Sequence, residues 1–352
     1  MGYAISIVLC CIAQPQQRYD NHLERIANAK PILADYPQYV QPIDDANRFR
    51  AAPVVDEMNA DLEVRAWRFS YNARGIIEMP NRLRASATAI VVVHPWGIDD
   101  GQGWTSPEPA GVAFFCTPEK NKICEDQLRE VVNPFLKSLR DKVKVVSYSM
   151  PGAEDPIRKK MYRSFRTTPS DAERVQGRAE LAAKLKAFSY KGSPLSVGFS
   201  LAAGTSVPDY FKNFSGLDAS AKFNNQGFWQ LPVPVHKAIE VHANDVVIYD
   251  GEGYSALRDF LKSQGIRHVL LAGYATDMCL ISTCAGYQNL SKDFNLFIVG
   301  DATMATFPAV STPRYATQTA LAKAALNQLI TQVSWIRPMS LNHRGTETQR
   351  KN

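Results

Sequence analysis

The stretch HVLLAGYATDMC, His268 to Cys279, decides how the chain is read. Its first half is an apolar run closed by Gly273, the length and composition of a buried strand. A short polar turn follows, and the apolar spacing of CLISTCAGYQNL, Cys279 to Leu290, predicts a helix. A strand that turns directly into a helix is one step of an alternating α/β chain, so the flanking sequence should repeat the pattern.

It does so from Ala85 onward. TAIVVV (88–93) is a continuous β-branched run, ICEDQLREVVNPFLKSLRD (123–141) has helical spacing, and VKVVSYSM (143–150) is a second buried strand. A βαβ unit implies parallel strands. SPLSVGFSLA, DVVIY, the helix ALRDFLKSQGI, HVLLAG, FNLFIVGDA and a last helix QTALAKAALNQLI continue the series. The prediction is a three-layer α/β/α sandwich with a mainly parallel sheet, whose sites lie at the carboxyl ends of the strands. Between Pro151 and about Pro234 the alternation lapses into a charged, helical stretch. Five basic residues between Arg158 and Arg166 read as a solvated helix face, with a basic lip over an anionic substrate as the other reading.

The ends differ from this body. Residues 14–84 read as an N-terminal extension. In it Trp67, Phe69 and Tyr71 alternate before the turn NARG, and Ile76 and Ile77 follow, the pattern of a β-hairpin. Residues 1–13 read as an export signal: an apolar run from Tyr3 ends with the small residues Cys11 and Ala13, although no Lys or Arg precedes it and an ordinary apolar N-terminus competes. The mature protein is then expected to be periplasmic or extracellular and without a membrane segment, since no other stretch approaches the roughly 20 apolar residues a span needs. The main domain is expected over 85–340, with a polar tail at 341–352.

With 45% hydrophobic and 21% charged residues in 352, disorder is excluded as the default. A formal charge of +6 is too diffuse to argue for nucleic acid. A small-molecule substrate is the expected partner. Past the signal four cysteines remain. Cys116 and Cys124 flank a short loop that an oxidising compartment can close as a disulfide or leave open, with nothing to choose between them. Cys279 and Cys284 sit five residues apart on the expected helix and diverge, which leaves Cys279 available to react.

A thiol in the first helical turn meets unpaired backbone N–H groups and the positive end of the helix dipole, which favours thiolate. The same N–H groups, with Ala275 and Thr276 in the turn, can hold an oxyanion formed on attack at a carbonyl. Asp277 reads as the helix cap.

Gly273, Thr276, Asp277, Cys279, Thr283 and Asp301-Ala302 reproduce the spacing GxxTDxCxxxT…DA, and in this the chain resembles the isochorismatase-like cysteine hydrolases, a family that includes nicotinamidases and carbamoyl-amide hydrolases. The resemblance covers about Ala85 to Arg337. It implies an Asp, Lys, Cys triad with a covalent acyl intermediate on the cysteine, and commonly an oligomer. Here the residue after the first strand, where the family has Asp, is His94, and where Lys is expected the chain has Tyr249 and Asp250. Asp100 to Gln102 has the family's Asp-x-Gln spacing in a displaced register.

Two outcomes are open. His94 or Asp100 is the proton carrier for Cys279, with Asp99 or Asp100 orienting His94; or the fold binds a ligand without turnover. The run HPWGIDDGQGW, with Trp96 and Asp99, suits a loop built around a ligand, and Tyr249 joins it as a binding candidate. A third class, a serine esterase using Ser200 in GFSLA, lacks the final glycine of the nucleophile elbow. Zinc occurs in nicotinamidase-like relatives, but His236 and His242 do not define a metal site and no G-x-G-x-x-G follows the first strand, so no cofactor is expected.

Overall fold

The computed structural model describes residues 22–31, 47–70, 72–97, 118–188, 200–206 and 231–305, with positions 34, 35, 37, 38 and 209. The export signal, the last predicted helix, Asp99, Asp100, Cys116 and most of SPLSVGFSLA lie outside these residues.

The extension forms its own four-stranded sheet. β1 (Glu24–Arg25), β2 (Arg48–Arg50), β3 (Leu62–Ser70) and β4 (Gly75–Leu83) are ordered β1-β2-β4-β3. β3 and β4 are the antiparallel hairpin anticipated around NARG, in register from Leu62↔Leu83 to Ser70↔Gly75. Glu57, just before this hairpin, reaches the main domain, accepting from the Arg84 N–H at 2.6 Å and pairing with Arg267.

The main sheet has five parallel strands. β5 (Thr88–Val93), β6 (Val145–Met150), β7 (Val246–Tyr249), β8 (His268–Tyr274) and β9 (Asn295–Met304) are ordered β7-β6-β5-β8-β9. Alternate residues of each strand feed two cores, as a pleat requires when both faces are covered. Ile90, Val92, Leu270 and Ala272 pack with Leu128, Leu136, Leu181 and Leu185 on one face. Ala89, Val91, Val93, Val269 and Leu271 pack with Leu257, Leu261, Leu280 and Leu290 on the other. The first helical layer is α1 (Pro118–Gln127), a π-helical turn at Leu128–Val132, α2 (Asn133–Leu139), α3 (Pro156–Met161) and α4 (Asp171–Ala187). The second contains α5 (Gly253–Ser263), α6 (Cys279–Ser282) and α7 (Tyr287–Leu290). The three-layer α/β/α sandwich is therefore the observed fold.

Local sequence explains most element ends. Asp155 accepts from the N–H groups of Ile157 and Arg158 with Pro156 at the first helical position, and Ser170 and Glu173 form a reciprocal capping box on α4. The basic run is not simply a solvated face. Arg158 is buried, donates to the carbonyls of Pro151 and Ala153 at 3.1 and 2.5 Å, and stacks 4.6 Å above the Tyr249 ring. Only Lys159 and Arg166 of the five are fully exposed.

The predicted helix from Cys279 to Leu290 is broken. Thr283, with ψ 179°, ends α6 after one turn, and its hydroxyl donates back to the Cys279 carbonyl at 2.8 Å. The β-branched residue and the glycine after Ala285 outweigh the apolar periodicity on which the continuous helix rested. Asp277 does not occupy the cap position either; Met278 does, without a side-chain capping bond.

One glycine is required by the sheet. Gly273 has φ 102°, and a Cβ there would lie 2.2 Å from the Val93 carbonyl oxygen and 2.5 Å from its nitrogen. Gly273→Ala is expected to lower stability by about 3 kcal/mol or more, read as a shifted urea midpoint with unchanged slope, because backbone strain adds to a clash with a central strand.

Candidate active site

Three strand ends converge on one cluster. His94 directly follows β5, Asp250 directly follows β7, and Ser149 on β6 lies between them. His94 has φ 46°, an unusual left-handed conformation for a non-glycine residue, and its N–H donates to the Ser149 carbonyl at 2.8 Å. The segment after it is pinned. Trp96 forms a β-bridge with Val235, the His236 N–H donates to the Pro95 carbonyl at 2.7 Å, and a Cβ on Gly97 would lie 2.1 Å from the His236 ring.

The His94 ring is buried, and its Nε2–H donates to Asp250 Oδ2 at 2.7 Å. The ring also interacts with Cys279, which raises its affinity for a proton. Burial alone would lower the imidazole's affinity for a proton. The hydrogen bond to Asp250 and the interaction with Cys279, with the charges of both, outweigh burial and raise His94 to about 9. Burial likewise works against the Asp250 carboxylate, but bonds from His94, Cys284 and Ser149 and the His94 charge hold it below its usual range. The site thus pairs the His94 imidazole with the Asp250 carboxylate, and Cys279 interacts with the ring.

Cys279 follows β8 through a turn with a cis peptide between Tyr274 and Ala275. The N–H of Thr276 is committed to the Met304 carbonyl at 3.0 Å, and those of Met278 and Leu280 to the Ala275 carbonyl. Among the described residues, no backbone carbonyl accepts from the N–H of Ala275 or Cys279. Thr276 is fully buried and its Oγ1 has no hydrogen-bond partner among the described residues.

The other expected residues are placed less centrally. Tyr249 is 1% exposed and its ring is part of the core beneath Arg158, not an element of an open cleft. Trp96 is also core. Asp99 and Asp100 lie outside the described residues, and the carboxylate that meets His94 is Asp250. Ser200 is exposed, in no strand, with a turn and not a helix after it, which removes the elbow geometry. His236 accepts from the Ala238 N–H at 3.0 Å, and burial lowers it to about 4, so it is a neutral core residue. His242 lies 3.2 Å from Glu240. No group of three His, Cys, Asp or Glu side chains suited to a metal occurs among the described residues.

Asp250, Ser149 and Cys284 were not singled out from the sequence as partners of His94. A signal for Asp250 existed: the family places an acid after the first strand and a base at the later position, and this chain has a base and an acid at the same two places. The signs exchange together.

Residues 209–333 match the Isochorismatase domain family model. The isochorismatase-like hydrolase family to which the motif pointed is thereby supported. The match includes Asp250 and Cys279 and excludes His94. A cysteine hydrolase from Pseudomonas syringae pv. phaseolicola 1448A is a similar solved structure, 14% identical, over 69% of this chain and 87% of that one, with a TM-score of 0.31. No curated protein matches the chain. No helix among the described residues is long and apolar enough to cross a membrane.

Proposed function

We propose that this isochorismatase-like protein is a cysteine hydrolase that cleaves a C–N or related bond of a small molecule through an acyl-enzyme on Cys279. The observation that carries the reading is the position of His94, hydrogen-bonded to Asp250 and near enough to Cys279 for the two to interact. His94 holds its proton as an imidazolium beside the Cys279 sulfur, which attacks the substrate carbonyl. The carbonyl oxygen, now negative, is received by the N–H groups of Ala275 and Cys279. His94 gives the proton to the leaving nitrogen as the C–N bond breaks. It then takes a proton from water, which attacks the thioester and releases the acid and the free thiol. Asp250 fixes the ring and stabilises the imidazolium, the part that a third residue plays in a triad. Of the family triad only the cysteine is retained; His94 and Asp250 stand for the acid and the lysine.

The test is thiol reactivity. Treated with iodoacetamide and mapped by peptide mass spectrometry, Cys279 is expected to alkylate at pH 6 at least about tenfold faster than an ordinary exposed thiol, because the His94 imidazolium beside it stabilises charge on the attacking sulfur. A Cys279 that reacts no faster than a buried structural thiol across pH 5 to 9 overturns the nucleophile and leaves a ligand-binding protein on this fold. Export and an oligomeric state remain part of the proposal, the first from the N-terminal run and the second from the resemblance; secretion and light-scattering assays test them.

A further inference from the structure

Asp250 has two carboxylate oxygens and three side-chain partners. Oδ2 accepts from His94, while Oδ1 accepts from the Cys284 thiol at 3.1 Å and from the Ser149 hydroxyl at 3.4 Å. Cys284 reaches this position because α6 stops. With Thr283 extended and its carbonyl held by the Asn289 side chain at 3.0 Å, the chain turns Cys284 back toward the ends of β6 and β7. On the continuous helix expected from sequence, Cys284 would have diverged from the site.

The thiol is suited to donate and unsuited to react. Burial first, and then the Asp250 charge and the hydrogen bond to it, push its ionisation far above the ordinary range, so it stays S–H wherever the protein works. A thiol is a weak donor, yet a bond to a half-buried carboxylate is strengthened by the charge. Among the described residues the groups that face the pair are few: Asp250 and Cys279 face His94, and His94, Cys284 and Ser149 face Asp250.

We propose that Cys284 is a positioning residue, whose S–H, together with the Ser149 hydroxyl, holds the Asp250 carboxylate ionised and aimed at His94 and thereby sets the protonation of the His94–Cys279 pair. The proposal rests on the cysteine-hydrolase reading for its consequence in catalysis, but not for its effect on His94. Removing the donor leaves Oδ1 with one bond fewer, which frees the carboxylate to turn away from His94 and weakens its hold on the imidazolium.

Two variants of the full chain separate a donor from a space-filler. Cys284→Ala removes the donor, and Cys284→Ser keeps one at nearly the same place. The His94 ring titration, followed by NMR with labelled histidine and assigned with His94→Asn, is expected to move down by about one unit in Cys284→Ala, a tenfold change in proton affinity, and to stay near the wild-type value in Cys284→Ser. Cys279 alkylation by iodoacetamide at pH 7 is expected to fall about threefold to tenfold in Cys284→Ala and to recover in Cys284→Ser. An unchanged His94 titration in Cys284→Ala overturns the proposal, and so does a Cys284→Ser variant that falls as far as Cys284→Ala. If wild-type Cys279 is unreactive while the His94 titration still shifts as stated, the hydrolase reading fails and the positioning role stands.

Discussion

Cys279→Ser is expected to reduce hydrolysis of any amide or carbamoyl compound turned over by the wild type by about a thousandfold or more, because serine at this place is neither as acidic nor as nucleophilic as the thiol. A panel of small primary amides and N-carbamoyl compounds, assayed for released ammonia, supplies the measurement. Mass spectrometry of the wild type quenched with its best substrate is expected to show an acyl adduct on Cys279. The variant should fold normally, since Cys279 is half-buried and serine has nearly the same shape. Retained turnover in Cys279→Ser would place the chemistry elsewhere in the chain.

Asp250→Asn carries the second large effect. The amide is nearly the same shape but brings no charge, so the buried imidazolium loses its counter-ion and burial then dominates. His94 is expected to titrate below its ordinary 6.5 in the variant instead of at about 9. Turnover should fall about a hundredfold to ten-thousandfold with a smaller change in KM, as expected when the residue that orients a base is lost. A variant with wild-type turnover and an unshifted His94 would show that Asp250 is merely a structural neighbour.

The same pair makes stability depend on pH in a definite direction. His94 is raised on folding, so its contribution is complete below 6.5 and is lost as pH rises through about 9. Asp250 is lowered, so its contribution is present above 3.8 and is lost as pH falls through its folded value. The pair therefore stabilises most between roughly pH 4 and 6.5, by on the order of 3 kcal/mol from the His94 shift. Chemical denaturation at pH 6 and pH 10 should show this difference in the wild type and its loss in Asp250→Asn.

The layered architecture was legible because burial on both faces demands long β-branched runs, and TAIVVV, VVSYSM and HVLLAG occur in no other context as readily. The hairpin was legible from alternation. The single helix through Cys279 was misread because apolar periodicity does not register a chain reversal at Thr283, and that misreading turned Cys284 away from Cys279. Asp99 and Asp100 were the acids nearest His94 in sequence, and proximity along the chain favoured them over Asp250, which is 156 residues away.

The sequence by itself determined the strands, the order in which they alternate with helices, and the cysteine at a strand-to-helix turn, since each follows from local composition and spacing. Only the tertiary structure brought Asp250 to His94. Parallel strands ordered β7-β6-β5-β8-β9 bring residues 94, 149, 250, 279 and 284 together at the carboxyl ends of the strands. That gathering is a property of strand order and register, and no local pattern of residues encodes it.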